Sequence, residues 1–146
     1  MSFFACLNTR QCVSISQFHM GNSYINTNVH IIFHAKNTCS IKEEDLPQIF
    51  QYIGGIIRSM SSVPYMVGGR PDHIHILATL PCTMTLADFV RTIKAGASKW
   101  IKGIDSDYKG FVWQEGYGAF SVSQSNVDIV IKYILNQKEH HKRLTT

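Results

Sequence analysis

The sequence predicts an α+β domain in which one antiparallel sheet is backed by helices. Short segments rich in β-branched and aromatic residues alternate with longer segments whose apolar residues recur at helical spacing. Only one pair of strand-like segments is joined by a tight turn. With 146 residues, of which 45% are hydrophobic and 16% charged, the chain can close one core but not two.

The N-terminal stretch differs in composition from the rest of the chain. Residues 1–22 are polar and lack periodicity, and they contain a second methionine, Met20, that is followed by a glycine. We expect residues 1–22 to form a poorly ordered extension, with Met20 as a candidate natural start. The single domain is then expected to occupy residues 23–146.

The first strand and the first helix follow this extension. Residues 28–35 (NVHIIFHA) are β-branched and apolar, which is typical of a strand. Apolar residues between positions 46 and 60 recur at helical spacing, and Pro47 suits the first turn of a helix. Gly54 and Gly55 lie inside this helix at a cost of about 1 kcal/mol each, which a close approach to the sheet would explain.

A hairpin, a second helix, a short strand and a last helix complete the predicted order. Strands are expected at 63–67 and 73–80, joined by the turn GGRP at 68–71. Thr85 caps the second helix, which Gly103 ends. A strand within 116–122 then precedes a helix from about Asn126 to Leu144. The order βαββαβ predicts a ferredoxin-like antiparallel sheet backed by helices, plus a C-terminal helix that carries Tyr133.

Bulk properties narrow the classes of function. The formal net charge of +4 favours an anionic partner, although only weakly. No apolar run approaches the roughly 18 residues that a membrane span needs, so no membrane partner is expected. The cysteines form no Cys-x-x-Cys pair, which argues against a zinc knuckle or a disulfide framework and favours a reducing cytoplasm. The four cysteines are Cys6, Cys12, Cys39 and Cys82.

The strongest local pattern is the alternation of histidine and isoleucine in residues 72–77 (DHIHIL). On a strand, His73 and His75 point to the same face, roughly 6.5 Å apart along the chain. Their rings can then converge on one divalent cation, while the isoleucines enter the core. The alternative is a pair of structural histidines, each satisfied by a neighbour, and the pair alone favours that alternative. Asp72 either orients a ligand or ends the turn.

A second pattern lies in the predicted last helix. Tyr133 and Gln137 are four residues apart, so they share one face of a helix. Taken alone, this pair is better explained by a tyrosine packed at the margin of the core and a solvated glutamine.

A third pattern is a basic stripe along the second helix. Its members follow the spacing +3, +4, +4 and lie opposite the apolar face; they are Arg91, Lys94, Ser98 and Lys102, with Lys99 nearby. Such a stripe can track phosphates, but a solvated outer face has the same appearance. For His30 and His34, structural roles are favoured. For Trp113 and Tyr117, base stacking and core packing both stay open.

In their order and spacing these patterns resemble the single-tyrosine transposases of the IS200/IS605 group, which are of the histidine-hydrophobe-histidine (HUH) type. The resemblance runs from about Met20 to Leu144. The segments that carry it are NSYINTNVHIIF (22–33), RPDHIHIL (70–77), TIKAGASKW (92–100), VWQEGYG (112–118) and KYILNQ (132–137).

The resemblance implies a DNA transposase that cleaves and rejoins single-stranded DNA at hairpin-marked element ends. In this assignment His73, His75 and Gln137 hold Mg²⁺ or Mn²⁺. Tyr133 is the nucleophile and forms a 5′-phosphotyrosine intermediate. The candidates for contact with the DNA backbone are Arg91, Lys94, Lys99 and Lys102.

The resemblance also implies an assembly and a location. We expect a homodimer joined through sheet edges, in which the tyrosine helix completes the partner's site and the first strand is the candidate edge. The expected location is the prokaryotic cytoplasm, in association with the nucleoid. One alternative is a non-catalytic or domesticated DNA-binding relative that acts on palindromic repeats. A histidine-triad nucleotide hydrolase is disfavoured, because Leu77 stands where a third histidine would fall.

Overall fold

The computed structural model describes residues 24–137. The predicted extension over residues 1–22 lies outside this range. In this described part of the chain, four strands and three α-helices follow one another in the predicted order. They are β1 (Asn28–His34), α1 (Leu46–Ser59), β2 (Pro64–Arg70), β3 (His73–Thr79), α2 (Leu86–Ile104), β4 (Gly118–Val122) and α3 (Val127–Leu135).

The strands form one antiparallel sheet in the order β2-β3-β1-β4. Strand β3 separates β1 from β2, the two strands that α1 connects, which is the split arrangement of a ferredoxin-like fold. The predicted α+β class and its βαββαβ order are therefore confirmed.

Strand β1 is an interior strand, so the expectation that it forms a free edge is wrong. It pairs with β3 on one side and with β4 on the other. Five of its seven residues are buried, as its apolar composition requires. Within residues 24–137 the edges of the sheet are β2 and β4.

The main core lies between one face of the sheet and the helices α1 and α2. Ile31 and Phe33 of β1, together with Ile74 and Ile76 of β3, are at most 1% exposed on this face. Alternation along the strands sends every second side chain into this core. The residues between them, His30 and His75 among them, therefore point to the opposite face of the sheet.

Contrary to the expectation, the sheet does not approach helix α1 closely at Gly54 and Gly55. The close contact in the helical layer is at another glycine, in α2. A Cβ atom added to Gly55 would meet no atom within 4 Å, and one added to Gly54 would make only ordinary contact with the Arg58 side chain. At Gly96 of α2, by contrast, an added Cβ would lie 2.8 Å from Cδ1 of Ile56 in α1. The tight contact is thus between the two helices and not between α1 and the sheet.

Helix boundaries agree with the capping pattern for α2 and differ for α3. The Thr85 hydroxyl accepts a hydrogen bond from the Asp88 N–H at 3.0 Å, as the predicted cap requires. Helix α3 begins at Val127 and ends at Leu135, and residue 136 is a turn. The rest of the predicted last helix, residues 138–144, lies outside the described range. None of the helices within residues 24–137 is long and apolar enough to span a bilayer.

The hairpin turn is shorter than predicted. Strand β2 continues through Gly68, Gly69 and Arg70, which pair with β3, and only residues 71 and 72 form the turn. Gly69 has a φ of +145°, and an added Cβ would lie 2.2 Å from the carbonyl oxygen of His73, so a glycine is required there. The longer strand places Gly68 directly opposite His75.

Gly55→Ala should stabilise the protein by about 0.5–1 kcal/mol, because alanine favours the helix and the added methyl group meets open space. Urea unfolding monitored by circular dichroism measures this change. Gly69→Ala is the matched control and should destabilise. A loss of stability in Gly55→Ala would mean that the sheet or another element does approach α1 at this point.

Candidate active site

Four histidines meet on the face of the sheet that α1 and α2 leave uncovered. The register pairs His34 of β1 with His73 of β3, and it pairs His75 with Ile32, which lies between His30 and His34 on β1. Because the strands are antiparallel and in register, all four side chains project from one face. We call His30, His34, His73 and His75 the histidine cluster.

His75 lies at the centre of the histidine cluster. Its ring centroid is 5.0 Å from that of His73 and 5.3 Å from that of His30. A hydrogen bond of 3.0 Å joins Nδ1 of His75 to Nε2 of His30, and both side chains are buried. The Nδ1 atom of His75 is therefore engaged, and its Nε2 atom is left for another partner.

His73 is oriented by its neighbour in sequence. Its Nδ1 atom lies 2.8 Å from Oδ1 of Asp72, which can accept a hydrogen bond from it. Partial burial raises the pKa of Asp72, but the charge of His73 and this hydrogen bond outweigh it, so the pKa of Asp72 lies below its ordinary value. Asp72 is also the last residue of the hairpin turn, so the structure agrees with the favoured turn role and adds this contact with His73.

The centre of the histidine cluster is held in the neutral state. Burial lowers the pKa of His75 to about 3, with further lowering by the neighbouring charges of His73, His30 and His34. Burial also lowers the pKa of His30. A neutral imidazole keeps a lone pair on one ring nitrogen, which is the form that binds a cation.

Tyr133 of α3 completes this site within the same chain. Its ring centroid lies 6.0 Å from that of His75 and 6.2 Å from that of His30, both in edge-to-face geometry. The side chain is 48% exposed, so its hydroxyl group can reach a ligand from solvent. The tyrosine therefore lies against the histidines of its own chain, whereas the resemblance implied the histidines of a partner.

A small second core holds α3 in this position. Its buried members are Met66 of β2, Leu77 of β3, and Val127 and Ile134 of α3. A Cβ atom added to Gly68 would lie 2.7 Å from Cγ2 of Ile134, so the helix approaches the sheet closely at this glycine. Since Gly68 pairs with His75 and Ile134 follows Tyr133, this contact sets the distance between tyrosine and histidine.

The third predicted metal ligand, Gln137, lies two residues beyond the end of α3 and is partly buried. In residues 24–137, no three His, Cys, Asp or Glu side chains are placed to hold a metal ion together. The structure thus brings His73, His75 and Tyr133 to one place. A metal ion bound to these two histidines would need a further ligand from another residue type, from a substrate or from water.

The predicted DNA contacts lie on a different layer from the histidine cluster. Helix α2 packs on the opposite face of the sheet, where Lys99 and Lys102 are exposed. Arg91 forms an ion pair with Asp88 one turn earlier. Lys94 donates hydrogen bonds to the carbonyl oxygens of residues 114 and 116 at 2.8 and 2.9 Å, so its ammonium group holds a loop.

Two further histidines lie beside the predicted pair. His30 and His34 belong to the cluster, and the hydrogen bond between His30 and His75 agrees with the structural role that was favoured for His30. The signal that could have found them is the alternation of β1 combined with its pairing to β3, which places both on the face of His73. Of the two aromatic residues left open, Trp113 is a core residue that contacts Phe33 edge-to-face, while Tyr117 is exposed.

The chain belongs to the IS200-like transposase family, whose family model (Transposase IS200 like) matches residues 23–137. This match covers the sheet, the histidine cluster and Tyr133. The resemblance drawn from the sequence is therefore confirmed.

Two solved structures share the fold. A proposed transposase from Deinococcus radiodurans R1 superposes with a TM-score of 0.61 at 18% identity, over 80% of this chain and 94% of that one. A REP-associated tyrosine transposase, solved with a REP hairpin bound, gives a TM-score of 0.58 at 17% identity, over 82% of this chain and 71% of that one. No curated protein sequence matches this chain.

Gly68→Ala should destabilise the protein by about 1–3 kcal/mol, because the new methyl group overlaps the Ile134 side chain. In an Ile134→Ala background the same change should be less destabilising, which a double-mutant cycle of urea unfolding measures. Gly118→Ala is the matched control, since its Cβ would make ordinary contact with Phe120 at 3.5 Å. Additive effects of the two substitutions would show that this contact does not position α3.

The lowered pKa of His75 predicts a loss of stability in acid. The unfolded chain binds a proton at this residue near pH 6.5, whereas the folded protein does so only near pH 3. The free energy of unfolding should therefore fall as the pH drops from 6.5 toward 3, by at most about 1.4 kcal/mol per pH unit for this proton. Urea unfolding of the metal-free protein at about pH 7 and pH 5 measures it. Equal slopes in the wild type and His75→Gln would contradict the assignment.

Proposed function

We propose that this protein cleaves and rejoins single-stranded DNA through a covalent bond between Tyr133 and a 5′ phosphate. The observation that supports this most directly is the position of Tyr133, whose exposed side chain lies beside the buried His75, which in turn contacts the buried His73. A nucleophile and two cation-binding groups on one open face have the composition of a phosphodiester-transfer site. Membership of a transposase family agrees with this chemistry.

The donor set fits a divalent cation. The ring centroids of His73 and His75 are 5.0 Å apart, which is compatible with two imidazoles on one ion at metal–nitrogen distances of about 2.1 Å. Gln137 is proposed as the third ligand. Mg²⁺ and Mn²⁺ both suit phosphate chemistry, and the nitrogen ligands favour Mn²⁺. When bound, such an ion draws off the negative charge that develops on the phosphate oxygens in the transition state.

Asp72 and His30 would orient the two ligands. A hydrogen bond donated by Nδ1 of His73 to Asp72 leaves the lone pair on Nε2. For His75 the same result requires that its Nδ1–H donate to Nε2 of His30. His30 must then accept, and carry its own proton on Nδ1. The neutral state of both rings, enforced by burial, permits this arrangement.

The reaction would proceed by exchange of one phosphodiester for another. The deprotonated hydroxyl of Tyr133 attacks the phosphorus atom, so that the Oη–P bond forms and the bond to the 3′ oxygen breaks. The departing 3′ oxygen takes up a proton, and the 5′ end stays on Tyr133. A new 3′ hydroxyl can later displace the tyrosine, and no ATP is needed because the phosphodiester energy is retained.

The DNA substrate is proposed to carry a hairpin. The REP-associated tyrosine transposase that shares this fold was solved with a REP hairpin bound, which supports a hairpin ligand for this chain. Arg91, Lys99 and Lys102 are proposed backbone contacts for the parts of the DNA that reach the helical layer. Lys94 keeps its predicted DNA role only as a secondary one, since two carbonyl oxygens already engage it.

A homodimer is proposed as the working assembly, with β2 or β4 as its joining edge, because β1 is interior. The dimer would serve to hold two DNA ends. It is not needed to bring a tyrosine to the histidines, since Tyr133 and His75 of one chain already meet.

Wild-type protein with Mn²⁺ or Mg²⁺ should form a covalent adduct with hairpin-bearing single-stranded DNA, and Tyr133→Phe should form none, because the phenyl ring carries no nucleophile. Denaturing gel electrophoresis of labelled DNA measures the adduct.

His73→Ala should abolish the metal-dependent adduct and leave most of the DNA affinity, since phosphate contacts elsewhere dominate binding.

The matched control is Tyr52→Phe, which removes a hydroxyl group from a half-exposed tyrosine on the helical layer and should leave adduct formation unchanged. An adduct that persists in Tyr133→Phe would assign the nucleophile to another residue. Hairpin binding without any adduct, across a library of single strands and both metals, would favour the alternative function, a non-catalytic relative that binds palindromic repeats.

A further inference from the structure

A hollow opens on the histidine face of the sheet, along the edge that β4 forms. It has a volume of about 310 Å³, at the lower end of the range typical of small-molecule sites. Its lining includes Ile32, His34, Glu115, Tyr117, Gly118 and Phe120. The hollow is continuous with the histidine cluster, because His34 lines it and the His34 ring lies 5.3 Å from the ring of His73.

The absence of a side chain at Gly118 creates this hollow. Gly118 pairs with Ile32 across the two strands, so the space above Ile32 is left open. A Cβ atom added to Gly118 would lie 3.5 Å from the ring of Phe120, which shows that this ring borders the open space. The floor is therefore backbone and an aliphatic side chain, and one wall is an aromatic ring.

Two aromatic rings border the hollow and remain in contact with solvent. Phe120 is 59% exposed and Tyr117 is 42% exposed, and neither is part of a buried core. Exposed aromatic rings around one concavity mark a binding surface for another flat, apolar group. Nucleobases are such groups, and single-strand-binding proteins hold them by stacking on aromatic side chains.

The rim of the hollow is held in place before any ligand arrives. Lys94 of α2 donates hydrogen bonds to the carbonyl oxygens of Gln114 and Gly116, and burial lowers its pKa. Gly116 has a φ of +81°, a conformation that glycine adopts without strain. Because these contacts fix the loop that leads into Tyr117, a ligand does not have to order it on binding.

The lining favours a base over a phosphate group. Glu115 carries the only full negative charge among the lining residues and would repel a phosphate. His34 and Gln114 add polar groups at the rim, and most of the other lining side chains offer apolar or aromatic surface. A phosphate held at the histidine cluster and a base held in the hollow would thus occupy two chemically different, adjoining places.

We propose that this hollow holds one unpaired nucleobase of single-stranded DNA, stacked against Phe120 and Tyr117. This inference rests on the proposed function, since it places the base on a nucleotide next to the phosphate that His73 and His75 would handle. Tyr133 would then act on a strand whose neighbouring base is already bound. The hollow would select for unstacked, unpaired DNA at the cleavage position, because a paired base could not enter it.

The test compares two single strands of roughly twelve nucleotides, a length within the range of known single-strand site sizes. One has a mixed sequence without self-complementarity, and the other has the same sugar-phosphate backbone with every base removed. Fluorescence anisotropy at low salt and without metal measures both affinities. Phe120→Leu and Tyr117→Leu should each bind the base-bearing strand about tenfold more weakly, with the abasic strand unaffected.

Two further variants sharpen the test. Gly118→Leu fills the hollow from its floor and leaves both Tyr117 and Phe120 unsubstituted, and it should cause a similar loss for the base-bearing strand alone. Tyr52→Leu removes a half-exposed aromatic ring from the helical layer, where it stacks on Trp100, and should change neither affinity. Circular dichroism confirms that each variant folds.

The inference is overturned if the variants of the hollow bind both strands as the wild type does, or if they weaken binding to the abasic strand equally. It is also overturned if Phe120→Leu changes only the oligomeric state. Failure of the proposed function looks different, because it is the absence of a covalent adduct in the wild type. Base-dependent binding is measured here without metal or cleavage, so the two failures are distinguishable.

Discussion

The site depends on one constraint, the register with which β1 pairs with β3. Antiparallel pairing of His34 with His73 brings two histidines from each strand to one face. The apolar residues that alternate with this face, Ile31 and Phe33 of β1 with Ile74 and Ile76 of β3, fill the core on the other face. If the pairing slipped by one residue, the histidines and the core residues of the slipped strand would exchange faces. Its imidazoles would then be buried under α1 and α2, and its apolar core residues would be exposed. The hydrophobic core therefore enforces the geometry of the site, because the register that buries the apolar residues is also the register that assembles the histidines.

Burial and hydrogen bonding then give these histidines different properties. His75, enclosed by other imidazoles, stays neutral far below the pH at which a free histidine binds a proton. The Nδ1 atom of His75 forms a hydrogen bond with Nε2 of His30. His73 faces the carboxylate of Asp72 at the turn. The two proposed ligands thus each have one nitrogen engaged and one open. Their partners differ in chemistry, a neutral ring for one and a carboxylate for the other, so the two ligands need not donate equally to a cation.

Local patterns predicted much of the fold, and non-local ones escaped prediction. The Thr85 cap and the periodicity after it located α2 within a residue, because both signals are contained in a short stretch of sequence. The apolar composition of β1 suits an edge or a centre, so composition alone could not place this strand. The predicted ferredoxin-like order already implied an interior position, between the third and the fourth strand. Alternation along β3 is enough to place His73 and His75 on one face of the sheet. Placing His30 on that same face requires the register between β1 and β3, which are far apart in sequence. The close contact between Gly96 of α2 and Ile56 of α1 depends on how the two helices cross, and the sequence pattern of either helix alone does not predict that crossing.

Within residues 24–137, the two hydrophobic cores share no residue. The large one holds the sheet against α1 and α2, and the small one holds α3 against β2 and β3 through a few side chains, Ile134 among them. Selection can therefore act on the reactive side of the sheet with little effect on whether the chain folds. A lineage that loses the tyrosine, or repacks the small core, retains a stable scaffold with its basic surface. This separability gives a natural route from a mobile-element enzyme to a host protein that binds DNA without cutting it.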